Sequence, residues 1–133
     1  MSILAAVVLI AVLIAIHEFG HFVVAKACGV AVPIFSIGFG RRLLGWYQGR
    51  LVFGEIEGPL VSTDYRLSLL PFGGYVKMAG ADPFGDGDED DAELDDPSMA
   101  FLRRPVWQRL LVVSAGPAFN LVLPVVVFTL LLI

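Results

Sequence analysis

Cysteine and histidine are scarce in this sequence, and each scarcity excludes something. Cys28 is the single cysteine among 133 residues, so an intrachain disulfide and a cysteine-based zinc cluster are both ruled out. With no partner thiol it reads as a small packed residue. Charge is sparse as well, at 17% of residues. Most of the acid behind the net charge of −4 is confined to one loop, and there is no basic recognition element, which excludes nucleic acid as a partner. Internal repeats are absent. The first apolar stretch has no basic residue before it, only Met1 and Ser2, and it contains Glu18 and two imidazoles. A signal peptide needs the former and avoids the latter; Ala25-Lys26-Ala27-Cys28 faintly suggests a lipoprotein cleavage site, but Lys26 fits badly there.

What the sequence has in abundance is apolar surface. Hydrophobic residues make up 57% of the chain, against roughly 45–50% in soluble domains. They are gathered at the two ends. Ile3 to Ala25, 23 residues, is apolar except at His17, Glu18, Gly20 and His21, and Lys26 marks its boundary. About 20 such residues cross a bilayer core. Leu110 to Ile133 is a second stretch of 24 residues, with Gly116, Pro117 and Pro124 as breakers that predict a kinked helix. Pro105 suits the first turn of that helix. The sequence thus predicts a membrane α-helical protein. Its two transmembrane helices, 3–25 and 105–133, are joined by a cytoplasmic-side loop carrying a small membrane-associated β-sheet or hairpin. All nine Lys and Arg lie from Lys26 to Arg109, with Arg103, Arg104 and Arg109 as a membrane-surface anchor; the positive-inside rule then makes the loop cytoplasmic. Membrane lipid is the implied surrounding.

The loop has two parts. Residues 31–78 are rich in glycine and β-forming residues, with extended runs at 32–39, 51–53 and 65–70. Pro71-Phe72-Gly73-Gly74 reads as a turn before Tyr75-Val76 resumes. Residues 81–98 carry nine Asp and Glu that repel one another, which predicts an acidic flexible linker. Asp86-Gly87-Asp88 lacks the full spacing of a calcium loop.

The chemistry is concentrated in His17-Glu18-Phe19-Gly20-His21, a His-Glu-x-x-His pattern. Helical residues four apart share a face, so His17 and His21 can grip one zinc ion, with Glu18 placed to act on water as the catalytic base. Two packed core histidines are the plain alternative. In a membrane that alternative weakens, because an ionised side chain at mid-bilayer costs ~2.5–3.5 kcal/mol. Counted back from Lys26, the two histidines lie roughly 8–14 Å below the boundary, at ~1.5 Å per residue. Water must reach them through a protein-lined cavity.

Five elements together resemble the site-2 protease family of intramembrane zinc metalloproteases. They are His17 to His21, Ser36-Ile37-Gly38-Phe39-Gly40, Leu70 to Met78, Trp107-Gln108-Arg109, and Gly116-Pro117-Ala118-Phe119-Asn120. The resemblance is to the N-terminal part of its bacterial branch that cleaves membrane-bound anti-sigma factors, the regulator-of-sigma-E type. It implies zinc on His17 and His21 and Glu18 as general base. It implies a transmembrane protein substrate, an anti-sigma factor in that branch, unwound and held by a β-loop that includes Gly73, Gly74, Tyr75 and Val76. Asn120, in a Gly-x-x-x-Asn motif, either binds that substrate or supports the site. The expected location is the bacterial inner membrane, with several passes. The alternative function is a catalytically incomplete membrane module that binds partner helices. Family members draw a third ligand, an aspartate, from a later helix and usually carry a PDZ domain after the second span. Here every aspartate lies in the loop, Asp64 being the least unsuited, so residues 1–133 alone are expected to lack a complete site. Gln48 to Thr63 is longer than the family pattern leads one to expect.

Overall fold

A computed structural model of the chain describes residues 2–57, 60, 62–81 and 97–133; the acidic segment expected at 81–98 lies outside these apart from Ala81, Pro97 and Ser98. Two long helices pack side by side, and a three-stranded sheet leans on the first of them. Helix α1 spans Ser2–Ala27 and helix α2 spans Val106–Leu132. Both are long and apolar enough to cross a membrane. At ~1.5 Å per residue each reaches roughly 40 Å, longer than the ~30 Å hydrocarbon core. Large apolar side chains such as Leu4, Val8, Val122 and Leu130 stand exposed along both. An apolar surface of that extent needs lipid or further protein against it.

Helix α1 ends at a glycine that closes its last turn. Gly29 has φ of +74°, its N–H donates to the Lys26 carbonyl, and the Val30 N–H reaches back to Ala25. This is the Schellman arrangement, in which a left-handed residue satisfies the final carbonyls. Arg104, just before α2, donates from Nη2 to the Gly29 carbonyl at 2.6 Å, tying the end of one helix to the start of the other. Ala25, Val30, Val32 and Val112 form the buried core beside this junction, with Phe22, Cys28, Val76 and Phe101 packed around them.

The strands are β1 (Ile34–Tyr47), β2 (Arg50–Phe53) and β3 (Asp64–Lys77), in the order β2-β1-β3. Gln48-Gly49 joins β1 to β2 with φ positive at both residues, the two-residue turn that matches strand twist. The β1–β3 pairing runs in two senses. Ile34 to Ile37 lie parallel to Asp64–Leu67, while the same four residues also face Lys77 to Gly74 in descending order. Both strands therefore fold back on themselves, β1 between residues 38 and 43 and β3 between 68 and 73. Pro71 to Gly74, expected as a turn between strands, is counted within β3. The reversal is still there, marked by Gly73 at φ +88°. The halves of β3 flank residues 34–37 on opposite sides, which leaves 74–77 as the outer strand, beside α1.

A buried charge cluster braces the sheet. Arg42, 3% exposed, donates from Nε and Nη2 to both oxygens of the fully buried Asp64, and from Nη1 to the Val52 and Gly54 carbonyls. Arg66 Nε donates to Asp64 Oδ2 at 2.7 Å. Buried charges persist only when paired and hydrogen-bonded in this manner. Asp64 is thus fully committed to two guanidiniums. That leaves it no oxygen to offer a metal, in keeping with the expectation that no loop aspartate completes the site.

Candidate metal centre

His17, Glu18 and His21 lie where α1 passes between the sheet and α2. Aromatic contacts fix that placement. Phe22 packs edge-on against Phe35 and Tyr65, with centroids 5.2 and 5.6 Å away, and Phe19 meets Phe119 of α2 at 6.1 Å. On the opposite face Gly20 lets α2 come close. A Cβ there would sit 2.6 Å from the Ala115 carbonyl oxygen, so a side chain would push the helices apart. Small residues allow membrane helices this proximity.

The two imidazoles lie 4.8 Å apart between centroids, at 77° to each other. His21 Nδ1–H donates to the Val112 carbonyl at 2.7 Å. A carbonyl can only accept, so this bond puts the proton on Nδ1 and leaves Nε2 with a free lone pair, as metal-bound histidines require. Across from His17, Asn120 Nδ2 lies 3.3 Å from Nδ1. Beneath both rings sits Gly116. A Cβ built on it would lie 2.5 Å from His21 Nε2 and 2.6 Å from His17 Nε2. Both nitrogens therefore converge on a space that exists only because residue 116 has no side chain. That cradle, with two imidazole Nε2 atoms aimed into it, fits a zinc ion, which takes nitrogen at about 2.0–2.1 Å. Among the described residues no group of three His, Cys, Asp or Glu comes together; the helix pair brings together His17 and His21.

The strand residues are distributed unevenly about this centre. Gly74 stands beside Glu18: a Cβ on it would be 3.7 Å from Glu18 Cγ and 2.7 Å from the Ser36 carbonyl oxygen. Tyr75 stacks on Phe39, 5.9 Å between centroids at 13°, and the Phe39 ring fills the space above Gly73. Val76 turns its side chain into the core cluster, leaving only its backbone for a further strand. An apolar cavity of about 340 Å³ opens next to this edge, between Val7, Ile10 and Ile14 of α1 and Phe39, Phe72 and Gly73 of the sheet. Val7, Ile10 and Ile14 continue the helix face that carries His17 and His21.

Sequence reasoning passed over Gly116 as a shaping residue, the Val112 carbonyl, and Phe39. Only the first two had a signal, the four-residue spacing of Val112, Gly116 and Asn120 on one face of α2. The Arg42–Asp64 pair had none, because a loop arginine and a loop aspartate 22 positions apart carry no local pattern.

Histidines paired on a helix, with a glutamate between them, belong to the class of zinc-dependent hydrolases. Residues 5–133 match Peptidase family M50, and the chain belongs to that family. The motif resemblance to site-2 proteases therefore holds at the level of the family. A protein of Vibrio cholerae serotype O1, provisionally named a zinc metalloprotease, is 43% identical over 117 residues, covering 88% of this chain and 22% of its own length. Similarly named proteins of Brucella suis and Campylobacter jejuni are 40% identical over 123 residues and 43% over 120. They cover 89% and 90% of this chain, and 29% and 28% of their own lengths. The chain thus spans less than a third of these relatives. The family and the relatives' names support a zinc metalloprotease.

Proposed function

We propose that the chain supplies the metal-bearing helix pair and substrate-binding sheet of an intramembrane zinc metalloprotease, acting in regulated intramembrane proteolysis on transmembrane protein substrates. The observation that carries this reading is the convergence of His17 and His21 Nε2 over Gly116, on helices apolar enough to cross a membrane. A zinc ion held there supplies Lewis-acid chemistry, activating water and polarising a carbonyl.

The chain's own residues do the rest. His17 and His21 hold the ion. Glu18 takes a proton from the attacking water. It delivers that proton to the leaving amine nitrogen as the C–N bond breaks, leaving a carboxylate and an amine. The outer strand 74–77 pairs with an unwound substrate segment, so that its peptide bond lies beside Glu18 rather than hidden in a helix. The apolar cavity at Phe72 and Gly73 suits an apolar side chain of that segment. The sheet's tip at Phe39 and Phe72 reaches past His17 toward Val7, so it re-enters the membrane; backbone at that depth is tolerated where protein covers it.

Basic residues confined to positions 26–109 support a cytoplasmic loop, and the bacterial relatives support an inner-membrane location with lipid around the helices. An anti-sigma factor is the substrate that the motif resemblance suggests. The pair of ligands, short of the three usual in catalytic zinc sites, favours as a second reading a non-catalytic module that binds partner helices. One comparison separates the two. In the full-length context Glu18→Gln should abolish cleavage of a transmembrane substrate while zinc stays bound; unchanged cleavage, or no zinc in the unsubstituted full-length protein, would remove the protease reading.

A further inference from the structure

His17 and Asn120 meet across the two helices, Nδ1 to Nδ2 at 3.3 Å. As placed, the Asn120 amide N–H donates to Nδ1, which would leave His17 protonated on Nε2. That is the nitrogen 2.6 Å from the Cβ position of Gly116, and a protonated nitrogen has no lone pair for a metal. The same placement leaves Asn120 Oδ1 buried with no partner. Amide oxygen and nitrogen are nearly identical in shape, and a half-turn exchanges them. After the exchange Oδ1 accepts from Nδ1–H, and His17 presents a bare Nε2 over the cradle. The exchange trades an unpartnered acceptor for an unpartnered N–H, so the balance rests on the histidine: only this orientation equips it as a ligand. His21 shows the same device one turn along α1, its Nδ1–H held by the Val112 carbonyl.

Resting on the zinc reading above, we infer that Asn120 is a positioning residue. Its amide oxygen fixes the tautomer and ring orientation of His17, and this role is separate from any contact with substrate. Outer partners of metal-bound histidines work this way, and their loss costs about 10–100-fold in metal affinity.

The test compares Asn120→Ala and Asn120→Asp in the full chain, in detergent micelles, by zinc competition against a chromophoric chelator and by the visible spectrum of the cobalt-substituted protein. Asn120→Ala should weaken zinc by about 10–100-fold and shift the cobalt bands. Asn120→Asp, which keeps an acceptor and loses the donor, should restore both. Unchanged zinc affinity and cobalt spectrum in Asn120→Ala, with a raised KM for a transmembrane substrate, would overturn the inference in favour of substrate binding. Failure of Asn120→Asp to restore would overturn it as well. Nitrogen NMR of the unsubstituted zinc-loaded protein needs no variant: His17 should be protonated on Nδ1, and protonation on Nε2 overturns the inference. His17→Ala is the control. If it holds zinc as well as the unsubstituted protein does, the metal reading itself has failed, whatever Asn120 does.

Discussion

Gly116→Ala asks the most of the metal centre with the smallest change. The added methyl would sit 2.5 Å from His21 Nε2 and 2.6 Å from His17 Nε2, about 0.9 Å inside ordinary contact distance. Neither ring can yield freely. His21 is held through Nδ1 by Val112 and His17 faces Asn120, so escape means breaking a hydrogen bond or separating the helices at Gly20 and Ala115. A zinc site tolerates ligand displacements of only about 0.2 Å. The substitution should therefore weaken zinc by at least about 100-fold, which is about 2.8 kcal/mol at 1.4 kcal/mol per decade. Helix propensity works in the opposite direction, since alanine favours a helix over glycine by about 0.8–1 kcal/mol. A loss of metal could not then be blamed on a weakened α2. Zinc stoichiometry and chelator competition provide the measurement, with helicity monitored alongside. Ser114→Ala is the control, because the Ser114 hydroxyl bonds back to Leu110 and Leu111 of its own helix, at 2.7 and 3.2 Å. Zinc held by Gly116→Ala as tightly as by the control would refute the idea that the ion lies between the two Nε2 atoms.

His17→Ala and His21→Ala should each lose both zinc and proteolysis, whereas Glu18→Gln loses only proteolysis; metal analysis beside a cleavage assay separates ligand from base. Gly74→Pro removes a backbone donor from the outer strand without touching a ligand, so cleavage of a helical substrate should fall at least tenfold while zinc affinity holds. Equal losses of both would make that strand purely structural. Asp64→Ala strands two guanidiniums in the sheet and should destabilise the fold by about 3–5 kcal/mol, read from denaturant unfolding in micelles. In intact cells, single cysteines at positions 2 and 87 should react from opposite sides, with Gly87→Cys protected from an impermeant reagent added outside; labelling of that position from outside would reverse the topology.

The sequence was legible where a pattern is local. The spacing of His17, Glu18 and His21 needs only a helix, and the length of two apolar runs needs only a bilayer. The β-forming character of residues 31–78 was legible as composition, but its architecture was not. That Ile34 to Ile37 would be flanked on one side by Asp64–Leu67 and on the other by Gly74 to Lys77 depends on two chain reversals whose partners are distant in sequence. The Pro71 to Gly74 segment shows the difference. Its residues signal a turn and the chain does reverse there, yet the segment is counted within β3, with pairing taken up again at Gly74 opposite Ile37. The role of Asp64 was illegible for the same reason: its character is set by Arg42 and Arg66, brought to it by the sheet.

What α2 adds can be weighed by asking how each polar group of α1 is accommodated among apolar surroundings. His21 and His17 each find a partner on α2, and interhelical hydrogen bonds of this kind are worth about 0.6–2 kcal/mol. Glu18 differs. Among the described residues it has no hydrogen bond or ion pair, while an ionised group at mid-bilayer costs ~2.5–3.5 kcal/mol. The helix pair holds Nδ1 of each histidine and leaves each Nε2 facing Gly116. The placement of Glu18 beside Gly74, on the outer strand next to α1, offsets no structural need, and the residue least explained by stability is the one assigned the proton transfer.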